Sequence, residues 1–145
     1  MILRPKFGVD KLLFGMKRED VIKIYGKADK EFRDDENNMI WLYNLQQFRL
    51  TFYEDEGFRL GYIICTNPTL LVLDRNIIGE DVAEVKAYLQ QHGLKDWESE
   101  DYDMAENHFN EENWTILQSE FGKIVKIETG AIINDKDEFD WKFKA

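Results

Sequence analysis

The sequence predicts an α+β fold, with two tandem helix-plus-three-strand antiparallel units forming a continuous sheet and the helices on one face. Three observations predict it. Residues 13–25 are echoed by residues 77–89, with Phe14/Ile78, Gly15/Gly79, Asp20/Glu84, Val21/Val85, Ile24/Tyr88 and Tyr25/Leu89 at one constant offset. Tyr43-Asn44 followed by Phe48, Leu50 and Phe52 then returns as Phe109-Asn110 followed by Trp114 and Ile116. Finally, Phe48, Leu50 and Phe52 alternate with Arg49, Thr51 and Tyr53, the pattern of a strand buried on one face. One such unit cannot bury its own sheet face, whereas two side by side can, which leaves the far side of the sheet uncovered. The reading is one domain over 1–145, made of repeats at about 12–66 and 76–132 with a C-terminal tail at 134–145.

Each element has a local reason. Val21, Ile22, Ile24 and Tyr25 fall at helical spacing, Glu19 and Asp20 occupy the first turn where the dipole favours them, and Gly26 can end the helix. Residues 32–36 are charged and read as a connection closing on the turn Asn37-Asn38. Strand-like runs follow at 40–45, 48–53 and 58–65, the last two joined through Glu54-Asp55-Glu56-Gly57. Residues 70–73 read as a short strand or connector. The second helix is expected at 82–91, with Val82, Val85, Tyr88 and Leu89 on one face and Gly93 beyond its end. The acidic stretch 96–107 reads as a long loop and one strand, followed by strands at 114–121 and 124–128.

Composition narrows the function classes. The chain has 145 residues, 43% of them hydrophobic, so it can build one ordinary core. Its net charge of −10 disfavours nucleic acid and an anionic membrane and favours encounter with a basic partner. Cys65, the lone cysteine, lies in an apolar run that reads as buried strand, which points to a reduced compartment. The first residues show no apolar core of signal length and every apolar run, 70–73 among them, is far too short to span a bilayer, so the expectation is a cytoplasmic protein.

Motifs of chemistry are sparse. Gly-x-Ser-x-Gly, P-loop, dinucleotide and EF-hand patterns do not occur, and His92 and His108 lack partners at metal-ligand spacing. The expectations are therefore no catalytic residue, no metal, no cofactor and no enzymatic activity. Binding residues are sought where acids neighbour aromatics, because aromatic anchors beside charge compose tight interfaces. Those positions are Glu54, Asp55 and Glu56 with Phe58, Trp97 with Glu98, and Tyr102 with Asp103. Tyr43, Arg49, Tyr53 and Arg59 join them as strand positions expected to point off the core face.

Gly15-Met16, Val21 and Gly26, with the strand Trp41-Leu42-Tyr43, resemble the helix-hairpin domains of the BamE/SmpA type, with Tyr25 in place of the usual Leu and Ala28 in place of Pro. Two such units in tandem look like the beta-lactamase inhibitor protein fold, over about residues 12–132, although Glu80 replaces Met in the second half. The resemblance implies a bacterial protein that grips a target on an open sheet, and acidic tandem proteins of this size look like immunity proteins of toxin systems. The resulting expectation is a non-enzymatic inhibitor that neutralises a basic toxin by occluding its active site. The alternative is a structural or assembly protein that homodimerises or binds a partner through its open sheet.

Overall fold

The computed structural model describes residues 1–144, leaving Ala145, the last residue of the expected tail, outside the described residues. Its elements are β1 (Ile2–Arg4), β2 (Gly8–Val9), α1 (Arg18–Tyr25), β3 (Lys30–Arg33), β4 (Met39–Tyr43), β5 (Phe48–Tyr53), β6 (Arg59–Cys65), β7 (Leu71–Val72), β8 (Arg75–Asn76), α2 (Val82–Gln91), β9 (Trp97–Tyr102), β10 (Ala105–Asn110), β11 (Thr115–Glu120) and β12 (Lys123–Gly130). The end of α1 has the expected cause, and side-chain caps open both helices. The Lys17 N–H donates to Asp20 Oδ2 at 3.0 Å, and the Gly26 N–H, at φ 79°, closes α1 on the Ile22 carbonyl. Asp81 caps α2 by accepting from the Glu84 N–H at 3.0 Å.

The architecture corrects the expected fold class. The chain is mostly sheet: an eight-stranded antiparallel sheet in the order β3-β4-β5-β6-β12-β11-β10-β9, and a small mixed sheet in the order β2-β1-β7-β8. Four strands of the large sheet, not three, follow each helix. Edge strands account for the difference. In β3 only Phe32 is half-buried among charged neighbours, and β9 is exposed at every position after Trp97. Charged edges protect a sheet from pairing with other chains, and that protection erases the alternation by which strands are recognised. β1, β2, β7 and β8 have two or three residues each, too few for any periodicity.

One face of the large sheet is covered. Trp41, Leu50, Phe52, Ile63, Leu117 and Ile127 pack in one cluster with Val21 of α1, Val85 and Leu89 of α2, and Leu3, Val9 and Val72 of the small sheet. The halves of the sheet join where β6 pairs with β12, with Cys65 opposite Ile127 and Tyr62 opposite Gly130. Past that seam the tail crosses one end of the sheet. Asp140 N–H donates to the Ile132 carbonyl, Lys142 and Phe143 N–H to the Phe14 carbonyl, and the rings of Tyr53, Phe139 and Trp141 stack in series.

Candidate functional site: the uncovered sheet face

Cross-strand register sets a single row of side chains across all eight strands, on the side away from the helices. The row runs Lys30, Leu42, Arg49, Ile64, Glu128, Ile116, Phe109, Glu98. Directly opposite residues share a face of a sheet, and each of the eight is half-buried or exposed. The row is basic at the β3 end, with Lys30 and Arg49, apolar on both sides of Glu128 through Ile64, Ile116 and Phe109, and acidic again at Glu98. The Tyr62 ring lies beside its centre, and Trp114 lies beside Phe109 and Ile116. Tyr62 donates to Glu128 Oε1 at 2.5 Å, and Glu128 Oε2 stands 3.3 Å from Lys126 Nζ. Burial, then the Glu128 carboxylate, pushes the Tyr62 phenol far above its ordinary value, so it stays a donor at any physiological pH.

Two glycines seat the rings that wall this surface. Gly61 is the extra residue of a β-bulge, since Thr51 pairs with Tyr62 and Phe52 with Leu60. A Cβ at Gly61 would stand 2.1 Å from Tyr53 Cε2, so the Tyr53 ring lies directly on the backbone. A Cβ at Gly130 would stand 2.6 Å from Trp114 Cδ1 and 3.0 Å from Tyr62 Cδ1. Between the seated rings, where the β10–β11 turn faces the tail, opens a cavity of about 380 Å³ lined by Tyr53, Trp114, Ile132, Ile133, Phe139, Glu111 and Glu112. Burial, then Glu36 and Asp34, pushes the Tyr53 phenol up to about 12. The sequence reading named neither Trp114 nor the glycines as site residues. A glycine inside a strand pattern marks a close backbone approach, and that was the available signal.

The residues expected from sequence are scattered over the molecule. Glu98 and Arg49 lie in the cross-strand row, and Tyr53 walls the cavity. Tyr43 faces the helices instead: it is 2% exposed, donates to the Gly26 carbonyl at 2.7 Å and packs against Tyr25, because β4 is buried on both faces and its alternation is unreadable. Trp97 also turns inward, its Nε1 donating to the Leu94 carbonyl at 2.9 Å. Arg59 donates to the Gly15 carbonyl at 3.0 Å. Phe58 lies between the guanidiniums of Arg18 and Arg33, 4.8 and 5.4 Å from its ring centre. Glu54, Asp55 and Glu56 form a 3-10 turn beyond β5. Tyr102 donates to Glu100 at the outer edge, and Asp103 makes the β9–β10 turn at φ 49°.

A second cluster is buried beneath α2. His108 is 3% exposed, its Nε2 3.0 Å from Ser119 Oγ and its Nδ1 2.9 Å from Ser99 Oγ and 3.2 Å from Lys86 Nζ. An ammonium only donates, so Nδ1 accepts and Nε2 carries the proton. Burial and then the Lys86 charge hold the imidazole below its ordinary value, opposed by Asp101. Nε2 is sealed against Ser119 at 0% exposure, so the imidazole has no face on the cavity and reads as a structural network. Among the described residues no group of three or more His, Cys, Asp or Glu is arranged to hold a metal ion.

No family model matches the chain and no curated protein matches it. Solved structures do match. An extracellular protein containing a SCP domain from Bacillus anthracis str. Ames aligns with TM-score 0.53 at 12% identity over 90% of this chain and 49% of its own. A cysteine-rich secretory protein from Staphylococcus aureus subsp. aureus Mu50 aligns with TM-score 0.52 at 12% identity over 87% of this chain and 48% of its own. The chain therefore spans about half the length of these neighbours, and the likeness is one of fold. It overturns the resemblance to tandem BamE/SmpA units and to the beta-lactamase inhibitor protein fold, and with it the internal repeat and the immunity-protein description. The residues behind that resemblance have local causes. Gly26 closes a helix, and Gly15, at φ 104°, packs under the Trp141 side chain. The echo of 13–25 in 77–89 marks two similar helix entries, with the buried Phe14 answered by the half-buried Ile78.

Proposed function

We propose that this protein is a non-enzymatic binding module whose uncovered sheet face docks a partner protein with a basic surface. The observation that supports this most is the row from Lys30 to Glu98, apolar on both sides of Glu128 and acidic at its β9 end. Eight strands at about 4.8 Å spacing span about 34 Å, room for the roughly 800 Å² per partner of a stable interface. Phe109, Ile116, Trp114 and Tyr62 supply apolar area, and Glu98, Glu100, Glu111 and Glu112 steer and pair with cations. The net charge of −10 supports a basic protein over nucleic acid or an anionic membrane. A toxin as the specific target is not carried forward, because it rested on the overturned resemblance. Cytoplasmic placement remains part of the proposal. The neighbours are described as extracellular and secretory, and fractionation of the source cells tests the point.

The test is affinity capture from source-cell extract with the full chain and with Glu98→Lys/Glu100→Lys, followed by light scattering of the purified complex. A basic protein held by the parent chain and released by the variant is the expected result. Capture that is indifferent to the charge reversal, or a homodimer that buries the open sheet, would sink the reading.

A further inference from the structure

We infer that the cavity between Tyr53, Trp114 and Phe139 is a receptor for one arginine side chain; this rests on the docking reading above and deepens it. Elsewhere four rings of the chain lie beneath its own cations. Phe58 lies beneath Arg18 and Arg33, Phe32 beneath Lys30 and Arg49, Tyr88 beneath Arg75 and Phe7 beneath Lys142. Among the described residues, no lysine or arginine of the chain itself covers Tyr53, Trp114 or Phe139, and neither Glu111 nor Glu112 is in an ion pair. The cavity thus combines aromatic walls with two carboxylates that no cation of the chain pairs, a lining complementary in charge and shape to a cation from outside.

Size and construction agree. A volume of about 380 Å³ is at the small end of ligand pockets, suited to a single side chain. Its walls are fixed: Tyr53 lies on Gly61 and stacks on Phe139 at 5.5 Å, and Trp114 lies on Gly130 and meets Phe109 edge-on at 5.0 Å. Fixed walls reduce the ordering cost of binding. The half-exposed Ile133 offers apolar surface to an aliphatic stem. Arginine suits this arrangement better than lysine, since its weakly hydrated planar guanidinium stacks on an aromatic face, here that of Trp114 because Tyr53, Phe139 and Trp141 already stack on one another, and forks onto carboxylates.

The test uses N-acetyl-arginine methylamide as the probe, titrated into the full chain, with the indole N–H of Trp114 followed by NMR and assigned through Trp114→Phe. A saturable shift with a midpoint of about 1–10 mM is expected. N-acetyl-citrulline methylamide, which keeps the shape and loses the charge, should bind at least about tenfold more weakly, and so should arginine to Glu111→Gln/Glu112→Gln. Those substitutions are on an exposed turn, and an unchanged amide spectrum checks the fold. Equal binding of citrulline, or no shift up to about 50 mM, overturns the arginine site. If partner capture still responds to Glu98→Lys/Glu100→Lys in that case, the docking face survives and the pocket assignment alone fails.

Discussion

The halves of the large sheet each contain four strands that follow a helix, and they are held together by different chemistry. Under α1, strands β4 to β6 present Trp41, Tyr43, Leu50 and Phe52 to the core. Under α2, strands β10 to β12 present His108, Asn110, Thr115, Ser119 and Thr129 beside Leu117, Ile124 and Ile127. The six buried polar residues all fall between positions 108 and 129, in the C-terminal half. Apolar burial stabilises in proportion to area and is insensitive to pH. A buried polar network stabilises only while every member is satisfied, so it reacts sharply to loss of one partner or to protonation. The N-terminal half should therefore answer to cavities, and the C-terminal half to hydrogen bonds and acid.

The largest effect belongs to the apolar side. Phe52→Ala, at a fully buried ring in edge contact with Trp41, should cost about 3–5 kcal/mol in urea unfolding. Ser119→Ala removes far fewer atoms and strands His108 Nε2, so it should cost about 1–3 kcal/mol. Were the serine change as cheap as a surface substitution, the contrast between the halves would fail. Acid sharpens it further. The folded imidazole of His108 sits below its ordinary 6.5, so the unfolded chain takes up a proton first, and stability present above that value is lost as pH falls through the folded one. The thermal midpoint should drop between about pH 7 and pH 5.5 in the parent chain, and the drop should shrink in His108→Gln. Tyr43→Phe, which deletes the bond to the Gly26 carbonyl and leaves the ring, should cost about 0.5–1.5 kcal/mol with no change in that pH response. Smallest of all is Trp41→Phe. The indole N–H is buried without a partner, so its removal offsets part of the lost packing and the net cost should stay under about 1.5 kcal/mol.

The same contrast governs what could be read from sequence. β5 and α2 were legible to the residue because their buried positions are apolar at the right period and their solvent positions polar. β10 was hidden: its inward residues are His108 and Asn110 and its outward ones include Phe109, an inversion of the expected pattern. β3 and β9 were hidden by edge charge. At the surface, strand alternation pointed Arg49 and Tyr53 away from the core, and Glu98 was singled out beside Trp97. Glu54, Asp55, Glu56, Tyr102 and Asp103 entered the reading through acids lying next to aromatics in sequence, yet the aromatic wall is assembled from β5, the β10–β11 turn and the tail, which only tertiary structure brings together. Trp114 and Phe139 are distant from Tyr53 in the chain, and no local pattern links them.

The central claim is that recognition occurs on the side of the large sheet away from the helices. Amide perturbation mapping by NMR, on the isotopically labelled full chain with its captured partner, tests it most directly. Perturbations should concentrate on Ile64, Phe109, Ile116, Glu128 and the turn at Glu111–Glu112, with α1 and α2 silent. Perturbations centred on the exposed side of α1 and α2 or on the small sheet would contradict the account.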